Sequence, residues 1–226
     1  MHIKPALRAA FPATVPVMTG YFCLGFAYGL LMSAKGFGVI WTFLMSAVVF
    51  GGSIQYLGVT LLASAFEPLS ALLLSVMVNA RHVFYGLSML EPYRGTGKLR
   101  PALVALLTDE TFSIVSAMEV PAGVEKRDFY LAVSLLDYSY WVAASVVGHL
   151  FGSLVTFNTT GMDFALTALF VVLFMEQWKN QDNRFSGIIG ILSAAVSFAI
   201  FGAEQMVIPA MGMILVVLLA GRRKAK

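Results

Sequence analysis

The residues able to do chemistry in this chain sit in four short polar knots within apolar sequence. The first is Val78-Asn79-Ala80-Arg81-His82; residues 68–80 before its arginine and 83–90 after it carry no charge. The second is Thr108-Asp109-Glu110-Thr111, the third Leu136-Asp137-Tyr138-Ser139-Tyr140-Trp141, and the fourth Gly51-Gly52-Ser53-Ile54-Gln55. A charge near the middle of a bilayer-length segment costs about 2.5–3.5 kcal/mol on insertion scales, so Arg81 needs a partner, a use, or both. A guanidinium holds a carboxylate. Carboxylates hold an ammonium group or a proton. Together they suit an internal ion pair or a zwitterionic ligand.

Spacing ties the first two knots together. Taken as a hairpin turning at 91–100, Arg81 lies ten residues before Glu91 and Asp109 nine after Arg100. At about 1.5 Å per residue both travel a similar distance into the bilayer. Reflection about position 95 sets Arg81 opposite Asp109 and His82 near Glu110. Opposite charges at one depth in a low dielectric attract strongly, so the hairpin predicts that Arg81 pairs with Asp109 or Glu110. That pair is either a lock between two spans or one pole of a binding site. One base does not satisfy two carboxylates, and the surplus acid could carry a proton.

Helix phase adds a constraint. At 3.6 residues per turn Asn79, His82 and Gly86 share a face, with Arg81, Tyr85 and Ser88 nearly opposite. Either Arg81 and His82 serve different surfaces, or the helix unwinds near Asn79 and frees backbone groups that could grip a zwitterion. The Gly51-Gly52 pair predicts a kink or an unwound turn, with Gln55 at depth beside the freed backbone. Asp137 lies nine residues past Asp128, roughly 13 Å along a helix, and is a further candidate for an ammonium group or a proton. Its aromatic neighbours either support that site or form an interfacial belt. His149 reads as a hydrogen-bonded packing residue, Glu176 and Glu204 as solvated groups near span ends, and Cys23 as a small buried filler.

The elements that must position these groups are membrane spans. The 226 residues are 59% hydrophobic and 12% charged, with mean hydropathy +0.83, against about 25% charged for a soluble domain. The expected fold is all-α, a polytopic helical bundle of about eight spans with broken or re-entrant helices. The spans fall near 11–34, 36–66, 68–90, 101–118, 128–155, 162–178, 187–202 and 205–220. Residues 1–10 form a basic tail, 11–221 one transmembrane domain, and 222–226 a second basic tail. Pro12, Pro16 and Gly20 are four apart, and Gly25 and Gly29 follow at helical spacing. Small residues so placed serve close helix packing, or else mark a broken helix. Asp128 is expected to cap the fifth span and Trp178 to anchor the sixth. Eight spans put both termini on one side. That side holds ten Lys and Arg residues and the other four, which places the termini in the cytoplasm. The loop 91–100, with Arg94, Lys98 and Arg100, weighs against this and leaves a re-entrant fourth segment open.

Other function classes find little support. One cysteine forms no internal disulfide, and no metal-ligand or cofactor spacing exists. Basic residues lie in loops and tails and speak to orientation, not to nucleic acid. A Gly-x-Ser-x-Gly elbow and a His-Glu-x-x-His pair are both absent, so an intramembrane enzyme would have to use His82 and Asp109. An ion channel would need a ring of filter groups, and none is visible.

Several motifs combine into a specific pattern. Asn79-Ala80-Arg81-His82 with Tyr85, Leu107-Thr108-Asp109-Glu110 with Phe112, Asp137-Tyr138-Ser139-Tyr140-Trp141, and Asp163-Phe164-Ala165-Leu166-Thr167-Ala168 followed by Glu176-Gln177-Trp178 together resemble the AzlC family of branched-chain amino acid permeases. Pro16, Gly20-Tyr21, Gly25 and the stretch Gly51 to Gln55 are similar too, so the resemblance runs from about Phe11 to Gly221. Ala80 stands where the family often has leucine. The resemblance implies the large subunit of a bacterial inner-membrane exporter of valine, leucine and isoleucine, in some members also methionine. It further implies a small AzlD-type membrane partner and coupling to protons. On that expectation Arg81 takes the substrate carboxylate, Asp109 or Glu110 the ammonium group, and Phe and Leu side chains the apolar tail.

Overall fold

The computed structural model describes residues 3–63, 68–154, 171, 174–175, 178, 181–206, 209–210, 212–214 and 216–217. Residues 1–166 form one compact unit and 167–226 another. Among the described residues all regular structure is helical. The first unit contains α1 (Ile3–Ala34), α2 (Val39–Leu44), a π-helical turn (Met45–Val49), α3 (Gly52–Ala63), α4 (Pro68–Ser88), a 3-10 turn (Gly97–Leu99), α5 (Arg100–Ala105), α6 (Asp109–Ala117) and α7 (Lys126–Leu154). The second contains α8 (Gln181–Gln205). Three stretches, Ile3–Ala34, Lys126–Leu154 and Arg184–Gly202, are long and apolar enough to cross a membrane as unbroken helices.

The first unit is built on α1 against α7, and glycine makes their closeness possible. A methyl group at Gly29 would strike the Ser145 carbonyl and the His149 amide, and one at Gly148 would strike the Phe26 carbonyl. Gly25 and Gly152 stand at the same seam, facing Ala144 and Ser33. This is the small-residue packing that replaces the hydrophobic drive between helices in lipid. Gly20 meets nothing within 4 Å and takes no part. The helix runs unbroken through Pro12 and Pro16, and it starts at Ile3, inside the basic N-terminal stretch. Ala6 and Ala10 are buried against Phe129 and its neighbours at the start of α7, while Lys4 and Arg8 are exposed.

Two expected spans are discontinuous. The second breaks between α2 and α3: the π-turn ends at Phe50, whose φ of 41° and ψ of 51° put a bulky residue in the left-handed region. That conformation costs roughly 1–2 kcal/mol, and the Phe50 ring sits against Tyr138 at 4.9 Å between centroids. The fourth breaks at Leu106–Thr108, leaving two short helices. The third, α4, is continuous through Asn79, so the unwinding near Asn79 does not occur. The expected end of the seventh span is a kink at Gly202 (φ 73°) inside α8.

Two smaller expectations need correction. Cys23 is exposed: the buried positions of α1 include Tyr21, Gly25, Tyr28 and Met32, and residue 23 falls off that stripe. Asp128 lies within the first turn of α7, which begins at Lys126, so it is not the cap. Trp178 lies against Gly187, and its carbonyl accepts a hydrogen bond from Arg184 Nε (3.1 Å). The 163–168 motif, Glu176, the side chain of Glu204 and the tail 222–226 lie outside the described residues.

Candidate functional site

Arg81 projects from α4 to the two helix breaks. Its Nη1 forms a salt bridge with Asp109 Oδ2 at 2.5 Å, and its Nη2 donates to Ser53 Oγ at 3.0 Å. Ser53 is in the first turn of α3, and Asp109 is the first residue of α6. The guanidinium therefore bridges the N-termini of two half-helices. Of the two acids the hairpin geometry offers, Asp109 is the partner. The pair is not fully buried: the side chains of Arg81 and Asp109 keep 33% and 20% of their surface exposed.

The α6 terminus is organised by its cap. Thr108 has extended backbone, and its Oγ1 accepts from the Thr111 amide at 3.3 Å. That satisfies one of the amides a helix start leaves open. Asp109 and Glu110 then fall in the first turn, where the helix dipole favours negative charge. Glu110 turns toward α1, where the Tyr21 hydroxyl donates to its Oε2 at 2.7 Å. Asp137, fully buried on α7, accepts from the Thr111 hydroxyl at 2.8 Å.

Sequence reasoning placed seven residues in the site: Gln55, Asn79, Arg81, His82, Asp109, Glu110 and Asp137. The structure brings Arg81, Asp109, Glu110 and Asp137 around the start of α6. His82 follows Arg81 but packs edge-on to Tyr85, 5.7 Å away, and Tyr85 stacks on Phe112 of α6 at 4.7 Å. No described hydrogen bond joins His82 to Asp109, whose Oδ2 is taken by Arg81. No described hydrogen bond brings Asn79 into the cluster. Gln55 is fully buried and holds the α2–α3 break. Its Oε1 accepts from the Gly51 amide (3.2 Å) and Trp141 Nε1 (2.8 Å), and its Nε2 donates to Ser46 of the π-turn (3.2 Å). The tyrosines beside Asp137 make hydrogen bonds within the protein. Tyr138 donates to the Ala47 carbonyl at 3.0 Å and Tyr140 meets Thr14 at 3.2 Å. His149 packs as expected, bonded to Thr42 at 2.8 Å.

Tyr21, Ser53, Thr108 and Thr111 are polar partners that the sequence reading did not select. The two threonines carried a signal, since Thr before Asp-Glu opens a helix by capping. Tyr21 and Ser53 are single hydroxyls in uncharged runs. Chemically, the guanidinium and two helix N-termini present positive potential to a carboxylate. Asp109, Glu110 and Asp137 present the complementary pole to an ammonium group or a proton. Among the described residues no cluster of His, Cys, Asp and Glu has a metal-binding arrangement.

A family model described as AzlC protein matches residues 16–155. The branched-chain amino acid transport protein AzlC of Bacillus subtilis (strain 168) is 46% identical over 222 residues, covering 98% of this chain and 87% of the relative. An uncharacterized membrane protein of Haemophilus influenzae is 39% identical, covering 92% of this chain and 85% of its own length. One of Helicobacter pylori (strain 26695) is 36% identical, covering 97% and 96%. No solved structure matches the chain. The matched stretch contains Arg81, the Asp109-Glu110 pair and Asp137, and with a relative 46% identical across 98% of this chain, the chain belongs to the AzlC family.

Proposed function

We propose that this protein is the large subunit of a bacterial inner-membrane transporter that exports branched-chain amino acids, with proton coupling and a small AzlD-type partner. The observation that carries this reading is the Arg81–Asp109 bridge, set between two helix breaks and left partly open. A branched-chain amino acid offers a carboxylate, an ammonium group and an apolar tail. Its carboxylate competes with Asp109 for Arg81 and gains the N-termini of α3 and α6. Its ammonium group then takes the released Asp109, with Glu110 beside it. Tyr85 and Phe112 offer apolar surface for the tail. Substrate thus replaces an internal ion pair with two external ones, and neither charge is stranded during the exchange. Discontinuous helices that aim their termini at a zwitterion are a recurring transporter device. The name of the Bacillus subtilis relative supports the substrate class.

The test is efflux of labelled valine, leucine, isoleucine and methionine from cells carrying this chain, with and without a small partner co-expressed. Efflux above the empty-vector rate, lost in Arg81→Ala at equal membrane abundance, is expected. Efflux equal to background in every combination would refute the reading.

A further inference from the structure

Two acids, Asp137 fully buried and Glu110 half-buried, have no ion pair among the described residues and are joined by hydroxyls. Tyr21 Oη lies 2.7 Å from Glu110 Oε2 and 2.8 Å from Thr108 Oγ1. Thr108 Oγ1 lies 3.2 Å from Thr111 Oγ1, and Thr111 Oγ1 lies 2.8 Å from Asp137 Oδ2. The result is one chain, Glu110–Tyr21–Thr108–Thr111–Asp137, running from α1 through α6 to α7.

Counting protons in that chain decides its state. It has four oxygen–oxygen contacts and three hydroxyls, each with one proton to give. With both acids ionised, Tyr21 gives its proton to Glu110 and Thr111 gives its own to Asp137. Thr108 can then reach Tyr21 or Thr111, not both. One contact is left with no proton between its two oxygens; at Thr108–Thr111, 3.2 Å apart, this leaves a buried Thr111 lone pair without a donor, while Thr108 still accepts from the Thr111 amide. A fourth proton, on one of the acids, completes all four bonds. Asp137 Oδ1 agrees with this count: it is buried and finds no hydrogen-bond partner among the described residues.

We propose that Glu110 and Asp137 share a single proton through the hydroxyls of Tyr21, Thr108 and Thr111. The chain has two equivalent arrangements. With the proton on Asp137, every donor points toward Glu110. With it on Glu110, every donor points toward Asp137. In passing from the first to the second, the Asp137 O–H bond breaks and its proton moves to Thr111. The Thr111 proton goes to Thr108, that of Thr108 to Tyr21, and that of Tyr21 forms a carboxyl O–H on Glu110. Each hydroxyl ends with one proton, and one negative charge has moved from Glu110 to Asp137. Of the other titratable groups, Asp109 on α6 and Tyr85 on α4 lie near Glu110, and Arg81 and His82 on α4 lie near Asp109. Arg81 and Asp109 are already paired. On α7, Tyr138 and Tyr140 are bonded elsewhere, and so is Tyr56 on α3. Glu110 adjoins Asp109, so a proton on Glu110 removes one negative charge beside the Arg81 pair. That link to transport rests on the proton coupling proposed above; the shared proton does not.

The test is infrared spectroscopy of the purified protein in lipid nanodiscs at neutral pH, reading the carbonyl stretch of protonated carboxyl groups and its shift in deuterium oxide. The wild type is expected to show one such band that disappears in Glu110→Gln and equally in Asp137→Asn. In either variant the amide supplies the missing donor, and the remaining acid ionises. No band in the wild type, or a band that persists in one of the two folded variants, overturns the proposal. Either variant is informative alone, and the wild-type spectrum needs neither. The readout involves no substrate, so an absent band with intact valine efflux faults the relay, and a present band without efflux faults the proposed function.

Discussion

Arg81 and Asp109 pose one question at the level of single residues: lock or site. Neutralising either partner alone strands a charge in a mostly buried place, which costs about 3–5 kcal/mol for a fully buried pair and less here because both side chains keep some exposure. Arg81→Gln and Asp109→Asn are each expected to lower the thermal unfolding midpoint in detergent. The double variant is expected to recover most of that loss, since neither charge remains to be stranded. On the proposed function transport should not recover, because the group proposed to bind the substrate carboxylate is gone. Efflux near wild type in the double variant would make the pair a lock only. The pair itself was legible because two charges equidistant from a turn in apolar sequence have few other ways to be neutralised. Tyr21 and Ser53 were not. A hydroxyl in an apolar run gives no sign of its partner until tertiary structure supplies one.

Among the elements, the α1–α7 seam sets the frame on which the two broken helices are hung. Gly29→Ala and Gly148→Ala would each push a methyl into opposing backbone, which cannot move aside as a flexible side chain would. Overpacking typically costs 1–3 kcal/mol, with about the upper end expected here. Both variants should give a sharply lower midpoint or aggregated protein by size-exclusion chromatography. Gly20→Ala, with open space around it, should match the wild type. A normal Gly29→Ala protein would contradict the seam. Glycine spacing in α1 announced close packing, but not which glycines make it, because the partner helix decides the face. The break at Gly51-Gly52 was readable from the glycine pair, whereas the left-handed Phe50 beside it was not. Phe is a poor choice for that conformation on local grounds, and it is held by its contact with Tyr138. The aromatic run beside Asp137 was equally consistent with a membrane belt, since composition alone does not say whether a Tyr or Trp finds its hydrogen-bond partner inside the bundle.

For the whole molecule the open matter is how α5 and α6 lie in the bilayer. They cover residues 100–117, about 27 Å if helical rise held throughout, against a hydrocarbon core of about 30 Å. That length suits a broken crossing better than a shallow loop that enters and returns. A crossing also keeps the ten-to-four distribution of basic residues that an eight-span arrangement would give. The chain's single cysteine makes this directly measurable. With Cys23 replaced by serine, single cysteines are introduced by Lys98→Cys and Ala122→Cys, in the segments before α5 and after α6. Lys98 and Ala122 are both exposed. A membrane-impermeant maleimide added to intact cells is expected to label position 98 and to reach position 122 only after permeabilisation. Labelling of both from outside would make 100–117 re-entrant. The Arg81–Asp109 bridge would then have to be opened from one side alone, which alternating access does not allow without moving α4 as well.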